Sequence, residues 1–150
     1  MSLTWKSNFT GTEYRIFRGK VIAGLLKRHL WKEQGYGEFD GNMLRLKSKG
    51  FWKITTQILD IEGRQVLGEI KYHPLKGTAT ISYRDIDYKW QHKSWLRGTW
   101  YVTEQENSAE FKVLSFWKNE GEIVNNGIPS AVVLIAMFVH AYYKKISVGS

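Results

Sequence analysis

The feature that most constrains this chain is Ala131-Val132-Val133-Leu134-Ile135-Ala136-Met137-Phe138-Val139, a run without one polar side chain. Pro129 lies just before it and Lys144-Lys145 just after, as suits the two ends of a helix and its dipole. Val132, Val133 and Ile135 lean towards a strand, but the ends favour a helix over residues 130–144. Such a helix is apolar on every face, so protein or lipid must enclose it on all sides. A membrane span needs about 20 apolar residues. This run is shorter and is followed by His140, so burial in protein is expected, with a tail anchor as the alternative. At about 1.5 Å per residue the helix spans roughly 20–24 Å, the height of a small β-barrel.

The chain before the helix alternates. Val66, Gly68, Ile70 and Tyr72 interleave with Leu67, Glu69 and Lys71; Leu44 and Leu46 with Arg45 and Lys47; Ala79, Ile81 and Tyr83 with Thr78, Thr80 and Ser82. Period two with one apolar face marks half-buried antiparallel strands. The phase then changes, because Ile86, Tyr88 and Trp90 form the next apolar set. A one-residue slip would turn the core face outwards, so a turn or bulge is required near Arg84-Asp85. Further strands are expected over residues 13–17, 20–26, 52–61, 96–103, 110–117 and 122–124. Asp40-Gly41-Asn42, Asp60-Ile61-Glu62-Gly63, Lys76-Gly77 and Asn119-Glu120-Gly121 supply turn chemistry between them. Many short strands at close spacing imply a sandwich or a barrel. A chain of 150 residues, with two prolines and no low-complexity tract, reads as one domain over 1–150.

Ile58-Leu59-Asp60-Ile61-Glu62-Gly63-Arg64 followed by Gly68-Glu69-Ile70 resembles the strand, D-x-x-G hairpin and strand of the tubby C-terminal-like superfamily. That group includes the tubby domain, the phospholipid scramblases and the LURP-one-related proteins. The apolar run 131–139 is similar to its core helix. The resemblance implies a closed antiparallel β-barrel of about twelve strands around one hydrophobic C-terminal helix. It also implies work at membrane surfaces. The proline-rich stretch and cysteine cluster of the scramblases have no counterpart here. Asn125-Asn126-Gly127 stands where they carry an acidic, calcium-binding-like run, so calcium is not expected. No phosphoinositide-binding residue of tubby maps onto a position of this chain.

Chemistry is sparse. The chain has no cysteine, which excludes disulfides, thiolate metal sites and thiol catalysis. It shows no nucleophile elbow, phosphate-binding loop or dinucleotide fingerprint. Gly35-Tyr36-Gly37 opens like a glycine-rich loop, but Gly41 is misplaced for one. His29, His73, His92 and His140 lack metal-ligand spacing, and His140 is expected as a core histidine bonded to a backbone carbonyl. Asp85 and Asp87, two apart on one strand face, are the best pair for a metal-dependent hydrolase; a solvated face is the simpler reading. Glu104 and Glu106 read the same way, beside a loop at Asn107-Ser108. No cofactor and no catalytic residue are expected. The Met1–Lys6 start lacks an apolar core, and Asn8-Phe9-Thr10 reads as a chance sequon, so a cytoplasmic protein, associated with a membrane surface, is expected.

The formal charge of +8 and pI near 9.6 favour anionic partners. The best candidate surface is Lys89, Trp90, His92, Lys93, Trp95 and Arg97, where cations alternate with tryptophan. Indole beside ammonium suits the headgroup layer of an anionic membrane, and it also suits single-stranded nucleic acid, whose bases stack on the rings. The simplest alternative is a strand with tryptophan in the core and lysine in water. A non-enzymatic module binding anionic phospholipid headgroups is therefore the expectation, with nucleic acid as the rival partner.

Overall fold

A computed structural model describes residues 3–29, 32, 34–49, 54–94, 98–115 and 119–149, without the side chains at 94 and 147–149. Its strands are β1 (Leu3–Ser7), β2 (Glu13–Arg18), β3 (Val21–His29), β4 (Gln34–Phe39), β5 (Asn42–Lys49) and β6 (Thr55–Asp60). They continue as β7 (Val66–His73), β8 (Thr78–Tyr83), β9 (Ile86–Ser94), β10 (Thr99–Glu104), β11 (Asn107–Ser115) and β12 (Glu120–Asn126), followed by α1 (Ser130–Gly149). Each strand pairs antiparallel with the next, and β1 pairs with β12 through Leu3↔Ile123 and Trp5↔Gly121, closing the barrel. Closure removes the free edges that an open sheet would expose.

The helix occupies the barrel interior. Ala131 to Val139 are consecutive and all at most 2% exposed, which at 100° per residue requires walls on every side. That enclosure sets aside the tail-anchor reading. Trp90 Nε1 donates to the Ala136 carbonyl at 3.2 Å, tying wall to helix. The helix approaches β4 most closely, and glycine makes the approach possible. A Cβ on Gly37 would lie 3.2 Å from Leu134 Cδ2 and one on Gly35 3.2 Å from Phe138 Cε2. Gly35-Tyr36-Gly37 is thus a strand against a helix, not a phosphate loop. At the start of α1, Ser130 Oγ donates to Asp40 Oδ2 at 2.6 Å, and Arg18 clamps the same carboxylate at 2.9 and 3.1 Å. Arg18 and Ser130 together hold the Asp40 carboxyl below the usual range. The helix runs beyond residue 144, so Lys144 and Lys145 sit inside it rather than at its end.

The phase change near residue 84 is a two-residue hairpin. Arg84 and Asp85 have φ of 48° and 66°, and Tyr83 pairs with Ile86, so both keep the same face. Asp85 is therefore a turn residue and does not share a strand face with Asp87. Likewise the β10–β11 turn is Gln105-Glu106, and Asn107-Ser108 opens β11 rather than a loop. Asn125 closes the turn into the helix, accepting from Ile128 N and donating to Ile128 O.

Candidate binding surface and inner cavity

β9 carries most of the predicted site, and its pleat divides it. Tyr88, Trp90 and His92 point inwards; Lys89 and Lys93 are exposed on the outer wall. Lys93 lies 3.4 Å from Glu110, a surface pair of small energetic weight. Trp90 is 0% exposed, so it is a core residue that cannot meet a ligand at the surface, a correction to its place in the predicted cluster. The alternation is the pleat itself, which sends successive side chains to opposite faces of the wall. Trp95 and Arg97 lie outside the described residues.

The two ends of the barrel differ more than its walls. At one end, where α1 terminates, the connections β1–β2, β3–β4, β5–β6, β7–β8, β9–β10 and β11–β12 close the strands. Among the described residues these connections carry Lys32 and Lys76 and no acid, and the helix adds Lys144 and Lys145. The opposite connections balance Lys20, Arg64 and Arg84 against Asp40, Glu62, Asp85 and Glu106. The net positive charge thus gathers at the end where the helix stops. Phe9, Leu75, Ile54 and Ile146 stand exposed there, Phe9 and Leu75 almost completely. The opposite end also exposes Val21, Ile22 and Val66, so charge, not apolarity, distinguishes the ends.

A polar cleft of about 670 Å³ opens along β2–β5, lined by Lys27, Arg28, Arg45 and Lys47 with Glu13 as its acid. Arg28 is buried and donates to the Gly11 carbonyl at 2.8 Å. The cleft itself is made by cross-strand register, which sets Lys27, Tyr36 and Arg45 side by side.

A second, mostly apolar cavity of about 410 Å³ lies inside the basic end. Trp5, His92, Val113, His140, Tyr143 and Lys144 line it. The His140 ring stacks on Trp100 at 4.9 Å and 12°, near Trp5 at 5.8 Å and Tyr14 at 6.1 Å. The ring contacts around His140 are thus aromatic. Burial first, then the charges of Lys144, His92 and Arg28, lower its pKa to about 3. His92 is also lowered by burial, partly offset by a hydrogen bond to the Gly77 backbone. Burial raises the Tyr143 hydroxyl to about 12; it accepts from His73 N at 3.2 Å and donates to the Thr78 carbonyl. Lys144 is lowered by burial and donates to Asn119 Oδ1 at 2.7 Å.

The remaining polar candidates have local partners. Asp87 accepts from Ser82 Oγ at 2.6 Å, and Glu104 accepts from Asn107 Nδ2 at 3.1 Å. His73 sits on the outer wall within 3.4 Å of Thr80 Oγ1. Among the described residues no group of three or more His, Asp or Glu side chains is placed to hold a metal ion. Nor, among them, is any helix long and apolar enough to cross a membrane. Comparison with protein-family models, with curated proteins and with solved structures found no match.

Proposed function

We propose that this chain is a tubby-like barrel serving as a non-enzymatic module that docks its basic end on an anionic membrane surface. The observation that carries the reading is the concentration of positive charge at one end of the barrel, beside exposed apolar tips. Phe9 and Leu75 project from connections at that end, and Lys76 follows Leu75 directly. Apolar tips entering the headgroup layer while lysines meet anionic lipid is a two-part attraction, each basic residue adding about 1 kcal/mol. The cleft with Lys27, Arg28, Arg45 and Lys47 supplies a concave site for an anionic headgroup on the adjoining wall. Lys89 and Lys93 keep a supporting electrostatic role on the outer wall.

The test is co-sedimentation with vesicles of neutral or anionic phospholipid, alongside oligonucleotide binding, each at low and high salt. Binding to anionic vesicles that falls with salt supports the reading. Lys76→Glu with Lys145→Glu should weaken it strongly, Leu75→Ala moderately, and Lys20→Glu at the opposite end little. Equal effects from both ends, or binding to oligonucleotides alone, would overturn it; the latter favours single-stranded nucleic acid as the partner.

A further inference from the structure

The connection that hands the chain from β12 to the helix begins Asn126-Gly127, an exposed carboxamide directly before a glycine. The fold itself demands that glycine. Gly127 has a φ of 95°, and a Cβ there would collide with the Asn107 carboxamide. Asparagine is among the chemically labile residues, and it is most labile where the next residue has no side chain to shield its nitrogen.

The other asparagines are placed differently. Asn8 Oδ1 accepts from Thr12 N and Glu13 N at 2.9 and 3.1 Å, and Asn42 and Asn107 donate to the Phe39 carbonyl and to Glu104, each at 3.1 Å. Asn119 accepts from Lys144 at 2.7 Å, and Asn125 both donates to and accepts from Ile128. Each of these carboxamides is held by the fold, and each is followed by a residue that carries a side chain. Asp40-Gly41 has the same pattern as Asn126-Gly127, but Arg18 and Ser130 hold its carboxylate.

We infer that Asn126 is a site of spontaneous deamidation. Gly127 N gives its proton to water and attacks Asn126 Cγ; the new N–C bond closes a cyclic imide as ammonia leaves, taking a proton from water. A second water then opens the ring. Cleavage at Cγ yields aspartate in a normal chain, and cleavage at the main-chain carbonyl yields isoaspartate, whose backbone runs through Cβ and Cγ. In sum, water is consumed and ammonia released, with no oxidant or reductant. The position gives the change a structural consequence. Asn126 pairs with Ser108 at the end of β12, and Ile128, two residues on, is buried. Isoaspartate adds a main-chain carbon between the two and loosens the entry of the helix. Aspartate keeps the chain length and sets a negative charge near the helix N-terminus, where it is favourable. None of this depends on the membrane reading.

The experiment incubates the folded full chain at neutral and at mildly alkaline pH, followed by intact mass and peptide mapping. The expected result is a single amide-to-acid mass step, mapped to Asn126, faster at the higher pH and shared between aspartate and isoaspartate. Asn126→Gln should remove the step while melting as the parent does; should that variant fold poorly, Asn126→Ser takes its place. The isoaspartate fraction, separated by chromatography, should melt below the unaged chain, and equal melting would refute the consequence at the helix entry. No mass gain in the folded chain, a gain that appears first at another asparagine, or one that persists in Asn126→Gln overturns the inference.

Discussion

His140 should make this barrel acid-sensitive, and the size of the effect follows from its surroundings. The ring sits among Trp5, Tyr14 and Trp100, with Lys144, His92 and Arg28 as its charged neighbours. All of them oppose a second positive charge, and burial opposes it most, so the folded pKa is about 3 against 6.5 in the unfolded chain. Below pH 6.5 the unfolded chain therefore binds a proton that the folded chain refuses. The contribution is complete above pH 6.5 and is lost as pH falls towards 3. At about 1.4 kcal/mol per pH unit, the loss between pH 7 and 4.5 is about 3 kcal/mol. That is an upper figure, since the ring borders the cavity and solvent there screens it. For a domain of this size it is a large part of a stability of ~5–15 kcal/mol. Urea unfolding at both pH values measures it, with His140→Phe as the comparison because phenylalanine preserves the stack on Trp100. His92 loses stability in the same window, whereas the lowered carboxyls of Asp40 and Asp60 act only further into acid, so the difference between proteins isolates His140. The variant should lose about 2–3 kcal/mol less than the parent over this range. Equal losses, or a His140 resonance titrating near pH 6.5 in the folded protein, would refute the argument.

Three further outcomes are expected. Leu134→Ala should cost about 2–5 kcal/mol in urea unfolding, while Leu134→Asp should yield no folded protein, because the position is enclosed on every side. Gly37→Ala would place a Cβ 2.5 Å from the Leu25 carbonyl oxygen and 3.2 Å from Leu134, and should destabilise by about 1–3 kcal/mol; unchanged stability would contradict the close helix approach. Asp40→Asn should lower stability at neutral pH, the difference from the parent fading as pH falls through the depressed Asp40 pKa, read from paired melts at pH 7 and pH 3.

The apolar run 131–139, the alternation in β5, β7 and β8 and the break in phase at Arg84-Asp85 were legible without coordinates, because each records one segment's relation to a core. The cavity and the cleft were not, since their linings come from segments far apart in the chain. β1 and β4 went unannounced. Leu3–Ser7 is short, and Gly35 and Gly37 remove the apolar side chains that would have marked an inward face, the helix itself filling that space. Trp90 shows the same limit in the candidate surface. Composition puts it beside Lys89 and Lys93, whereas the pleat puts it on the other side of the wall.

The sequence by itself determined that the apolar run 131–139 needs cover on every side, by protein or by lipid, that the segments before it alternate as half-buried strands do, that thiol chemistry is absent and that the whole is basic. These follow from side-chain chemistry and short-range periodicity. Only the tertiary structure decided that twelve strands close into one ring, that alternate connections, those with Lys32 and Lys76 among them, share one end, and that the helix leans on β4. The physical reason is that strand pairing alternates direction along the chain. Every second connection returns to the same end, so bases far apart in sequence, such as Lys32 and Lys76, gather there only once the ring has closed.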